Sequence, residues 1–168
     1  MADGGVLDLM TATGPSPEHR ERLMLFGRLV GSWAVTSTRF DEGGATGSAE
    51  GEWHFAWVLG GRGVQDVLFS SGPTGDDHSA ALRCYDPAID AWHVTWMHPA
   101  AGEFVHMKAR SEEERIVLEG LDVRNGRPCR SFFDAITAGA FVWRGQALAE
   151  DGTTWAVRRE ITARRTRG

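Results

Sequence analysis

Residues 51–67, GEWHFAWVLGGRGVQDV, decide how the chain is read. Trp53, Phe55 and Trp57 occupy every second position, and Gly60-Gly61 then turns the chain into a second apolar run that holds Gln65 and Asp66. Side chains of an extended strand alternate between two faces, so the three aromatics share one side. The spacing of Trp53 and Trp57 also fits a helix, but Phe55 between them and the Gly and β-branched neighbours favour a strand. The stretch therefore predicts a hairpin whose aromatic face either fills a core or walls a pocket.

Working outward, the alternation recurs. Trp92, Val94 and Trp96 oppose His93, Thr95 and Met97; Phe141 and Trp143 share a face in 140–149; Trp155 and Val157 oppose Arg158 and Glu160. Ten strands are expected, at 32–40, 50–59, 62–71, 79–86, 91–98, 103–110, 115–121, 127–137, 140–149 and 153–163. Turn chemistry separates them: Gly/Asp loops at 41–44 and 72–77, Asp86-Pro87, Pro99 to Gly102, Asn125-Gly126 and Asp151-Gly152. Strands at this spacing without helical interruptions predict a mainly β fold, an antiparallel up-and-down barrel of about ten strands, with a two-sheet sandwich as the alternative. Ahead of them, Ser16-Pro17-Glu18 carries the signals of a helix start. Leu23, Phe26, Leu29 and Val30 then recur at helical spacing up to Gly31. Residues 1–15 are expected to be a disordered leader, and 16–165 one domain.

Composition narrows the function classes. Among 168 residues there are seven Trp, one Tyr and 21 Gly, and the net charge is −5. That balance offers no electrostatic case for nucleic acid or an anionic membrane, and no apolar run approaches the ~18 residues of a membrane span. The C-terminal stretch RREITARRTRG holds five of the 18 basic residues and reads as a solvated strand with a basic tail, or as a docking tail for an acidic partner. No signal-peptide pattern is visible. Cys84 and Cys129 have no metal-type spacing, so a reducing cytoplasm is the expected location.

Sorting strands by parity gives an inner face of Trp, Phe and Val with polar intruders: Gln65, Arg83, Tyr85, His106, Arg130, Asp134 and Arg159. In 62–71 the set Val64, Asp66, Leu68 is an equally good inward face, so either Gln65 or Asp66 enters the interior. Buried polar groups must be paired or hydrated, so the intruders are internal pairs or ligand-facing groups.

The ordered set LVGSW (29–33), GEWHFAWVLGGRGVQDV, RCYDPAIDAWHVTW (83–96) and WAVRREITAR (155–164) resembles an uncharacterised family of bacterial lipocalin-like proteins in the calycin superfamily. The resemblance runs over about residues 22–165. It implies a calycin-type barrel with the N-terminal helix closing one end, and the Gly-X-Trp residue Trp33 packed under a last-strand arginine, Arg158 or preferably Arg159. Nitrobindin-like barrels share the Gly-X-Trp start and bind haem through a histidine near the C-terminus. No histidine follows His106 in this chain, so haem is not expected.

The residues offer little else for cofactors. The six histidines and two cysteines lack zinc-type spacing, and there is no nucleophile elbow or phosphate-binding glycine loop. No metal and no cofactor are expected. What remains is a small hydrophobic or aromatic molecule held by Trp53, Phe55, Trp57, Gln65 or Asp66, Tyr85, Trp92, Trp96, Phe104, Phe132 and Trp143, in a monomer or homodimer. A cofactor-free cyclase or isomerase is the alternative, with His106 and Asp134 as acid and base, since burial moves both groups towards neutrality. Asp134 paired with Arg130 or Arg83 is the plainer reading of that residue. An interaction module using the helix and basic tail is the third.

Overall fold

The computed structural model describes residues 5–72 and 75–166. Ten long strands form one closed antiparallel barrel: β2 Gly31–Asp41, β3 Gly44–Val58, β4 Gly63–Gly72, β5 Gly75–Asp86, β6 Ala91–His98, β7 Glu103–Glu112, β8 Arg115–Asp122, β9 Pro128–Asp134, β10 Ala140–Leu148 and β11 Trp155–Arg165. Each pairs with its sequence neighbour, β11 returns to β2, and β3 pairs with β4 across the opening hairpin. The expected strands match these within a few residues, apart from longer starts to β3 and β5. Of the loop expected at 72–77, residues 73–74 lie outside the described residues, as do 1–4 and 167–168.

The helix is shorter than its sequence signals. Helix α2 spans Arg20–Gly27, and its entry residue His19 has a left-handed backbone, φ 59°. Ser16 does not cap it: its N–H donates to the Gly61 carbonyl at 3.0 Å, which ties this part of the chain to the β3–β4 turn and delays the helix. Before it, helix α1 Val6–Met10 and the two-residue strand β1 Thr11–Ala12 occupy the segment expected as a disordered leader. β1 pairs with Trp57 and Val58 of β3.

α2 packs under one end of the barrel. Leu23 and Phe26 are buried, and Phe26 meets Trp92 and Phe133 edge-on at 4.9 and 6.1 Å. Trp33 is enclosed beside Phe141 at 4.7 Å, with its indole N–H donating to the Leu29 carbonyl at 2.8 Å. The last-strand arginine over Trp33 is Arg165, 4.0 Å from the ring centre, rather than Arg159 or Arg158. Arg165 also donates to the carbonyls of Val30, Arg28 and Ala138. Gly31 has φ 130°, and a Cβ there would overlap Arg165 Nη1. The glycine and the tryptophan of Gly-X-Trp thus make one socket for that guanidinium.

Candidate functional site

From the α2 end, enclosed aromatics fill the barrel as far as Trp53. Trp53 lies at the upper limit of this packing, its ring centre 5.0 Å from Phe55, 5.7 Å from Phe133 and 5.6 Å from Phe141. Beyond Trp53 the interior opens into a cavity of about 330 Å³, lined from strand ends remote from α2. Trp53, Trp96, Trp143, Leu68, Val94 and Ile161 supply apolar walls. Trp143 stands edge-on to Trp53 at 6.3 Å.

An ion pair lies at the base of the cavity. Asp66 and Arg83 are each 3% exposed, and Arg83 Nη1 donates to Asp66 Oδ2. The guanidinium carbon lies 5.0 Å from the ring centre of Phe26 and 5.6 Å from that of Phe55, so the cation rests on the aromatic packing below. Arg83 Nε and Trp53 Nε1 are buried without a hydrogen-bond partner. Nearer the mouth are Arg39, His98, Glu103, Arg158 and Arg159. Arg159 donates through Nε to Ser37 Oγ at 2.7 Å, and His98 Nδ1 lies 3.7 Å from Glu103 Oε2. Cys129 also lines the cavity; burial first, and the Asp122 carboxylate second, push its thiol up to about 11. It therefore stays protonated at neutral pH and is a weak nucleophile there.

The expected site residues separate into four groups. Trp53, Asp66, Trp96 and Trp143 come together around the cavity. Phe55, Trp57 and Trp92 are buried below it: Trp57 packs against Gly27 of α2, and Trp92 against Phe26. Tyr85 stands at the α2 end, where its hydroxyl donates to Asp90 Oδ1 at 2.8 Å; this bond first, and desolvation second, raise its pKa above the ordinary phenol value. Gln65, Phe104, Phe132, His106 and Asp134 belong to the outer face.

The outer-face residues correct the parity assignments. In β4 the inward set is Val64, Asp66 and Leu68, which leaves Gln65 exposed. In β7 it is Val105, Met107 and Ala109, so His106 and Phe104 are exposed beside Lys108. In β9, Phe133 is fully buried while Phe132 lies outside under Arg115 and Arg130. Asp134 shares that outer face, with Arg144 Nη1 at 3.1 Å and Arg115 Nε at 3.4 Å. It is an ion-pair residue, paired with neither Arg83 nor Arg130, and the proposed acid and base do not reach the cavity. In β11 the register skips Arg158 between Gly145↔Arg159 and Gln146↔Val157. This bulge re-aims the strand: Trp155 misses the cavity and lies under the Arg130 guanidinium at 4.3 Å. Arg130 in turn donates to Gln146 Oε1 at 2.6 Å.

Several lining residues were missed although the signal was present. Arg39 continues, through the buried Ser37, the two-residue rhythm of Trp33 and Val35, and His98 continues that of Trp92, Val94 and Trp96. Reading each face to its end would have found them. Among the described residues, no group of three or more His, Cys, Asp or Glu could hold a metal ion, and no helix is long and apolar enough to cross a membrane.

No family model and no curated protein matches the chain. Among solved structures, it is similar to the crystal structure of Rv2717c from M. tuberculosis, with a TM-score of 0.64 at 14% identity over 91% of this chain and 99% of that one. A structure of EF1p2_mFAP2b bound to DFHBI matches with a TM-score of 0.42 at 13% identity, over 83% of this chain and 94% of that one. The likeness to Rv2717c is one of fold.

Proposed function

We propose that the protein binds a small, largely apolar or aromatic molecule in the cavity at the open end of its barrel. One observation carries this reading: the aromatic packing stops at Trp53, and above it a cavity of about 330 Å³ combines three tryptophans with a few placed polar groups. Ligand sites are usually concave and apolar with a small polar complement, at volumes of about 300–1,000 Å³. The socket of Gly31, Trp33 and Arg165 behind a short helix also supports a calycin-type relationship.

Calorimetric titration with a panel of aromatic and aliphatic metabolites tests the reading, followed by tryptophan fluorescence of the hits. A true ligand perturbs emission, because Trp53, Trp96 and Trp143 line the cavity. Ala81, on the cavity wall and 1% exposed, supplies the block. Leucine there adds volume inside the pocket, and Ala81→Leu is expected to weaken binding at least tenfold while the far-ultraviolet circular dichroism stays that of the parent. Full-strength binding by a folded Ala81→Leu variant would place the ligand elsewhere.

A further inference from the structure

The ion pair at the cavity base is unusual in what it leaves undone. A buried charge pair is tolerated when surrounding groups satisfy its remaining donors and lone pairs. Here Asp66 and Arg83, each 3% exposed, share a single hydrogen bond, and among the described residues neither makes another. A guanidinium has five N–H donors and a carboxylate about four acceptor sites, so most of the pair's capacity is open. Arg83 Nε has no acceptor, and Trp53 Nε1 has none either. All three residues line the cavity.

The geometry points to an uncharged, amide-type head group as the part of the ligand that docks on the Asp66–Arg83 pair, an inference that rests on the ligand-binding reading above. A carbonyl oxygen would accept from Arg83, and an adjacent N–H would donate to the Asp66 carboxylate. An amide, lactam or urea offers both on neighbouring atoms. A carboxylate offers acceptors alone, and it brings a second negative charge beside Asp66, which already answers the Arg83 charge in a water-poor site. A pure hydrocarbon leaves the open donors as they are. The aromatic walls formed by Trp53, Trp96 and Trp143 then take the body of the molecule.

Three probes with one ring system separate these chemistries: 1-naphthaleneacetamide, 1-naphthaleneacetate and 1-ethylnaphthalene, titrated calorimetrically into the full chain. The amide is expected to bind at least tenfold more tightly than the other two. The double variant Asp66→Leu/Arg83→Met replaces the pair by apolar groups, and should lose this preference while still binding 1-ethylnaphthalene. Binding of all three probes within threefold, or tightest binding of the carboxylate, overturns the head-group assignment and leaves the cavity reading standing. Failure of all three, together with the wider metabolite panel, overturns both. If the double variant does not fold, the three affinities of the parent chain decide.

Discussion

At the residue scale, Arg165 shows how much one side chain can organise. It lies over Trp33 at 4.0 Å and donates to three backbone carbonyls, those of Val30, Arg28 and Ala138, which tie the α2–β2 connection and the β9–β10 loop to β11. A lysine cannot reproduce this, because its ammonium is a point charge without the planar fork. Arg165→Lys is therefore expected to lower stability by about 2–3 kcal/mol in urea denaturation. Gly31→Ala should act through the same socket, since its Cβ would displace the guanidinium and its φ of 130° is strained for alanine. If the two effects share one cause, the double variant is less destabilised than the sum of the singles. The expectation of an arginine over Trp33 was sound in kind and misplaced in position. Arg158, Arg159 and Arg165 all sit on the last strand, and only the register Arg165↔Trp33 selects among them.

At the element scale, strand existence was legible and strand facing was legible only in part. The hairpin of Trp53, Phe55 and Trp57 read correctly because its opposite face, Glu52, His54 and Ala56, contains no large apolar residue. β9 carries Phe132 on one face and Phe133 on the other, so alternation cannot choose between them. In β7, Lys108 shares a face with His106, and weighing that charge would have turned His106 outward. β11 fails for another reason: a bulge at Arg158 reverses the facing of everything before it, and a constant two-residue rhythm cannot anticipate that. The β10–β11 turn makes a prediction of its own. Asp151 accepts from the Thr153 and Thr154 N–H groups and from the Thr154 hydroxyl, and these bonds hold its carboxyl down at about 2. Its ordinary value is about 4, so its contribution to stability is complete above that pH and disappears as pH falls through 2. The stability gap between the parent and Asp151→Ala should stay constant above pH ~4 and close as pH falls to ~2, as followed by denaturant midpoints. A gap that does not change with pH would show that the turn gains nothing from the charge.

For the whole molecule, the seven tryptophans describe the division of labour. Trp33, Trp57 and Trp92 belong to the packed end, Trp53 forms the boundary, Trp96 and Trp143 wall the cavity, and Trp155 lies outside it under Arg130. The sequence distinguishes none of these fates, because hollow volume depends on how rings from different strands interlock, and alternation describes one strand at a time. β1 has a role of a different kind. β2 pairs with β3 only as far as Gly31↔Phe55, whereas β3 continues to Val58. Over that overhang, Thr11 and Ala12 take up the pairing with Val58 and Trp57. Ten strands close the ring, yet this last stretch of β3 would present unpaired backbone groups without the N-terminal segment. Such an open edge is a template for another copy of the chain. A protein lacking residues 1–13 is expected to keep its barrel by circular dichroism but to self-associate more than the full chain as concentration rises, measured by light scattering. On that outcome β1 is a guard on solubility: two residues in register keep a closed sheet from acquiring a sticky end.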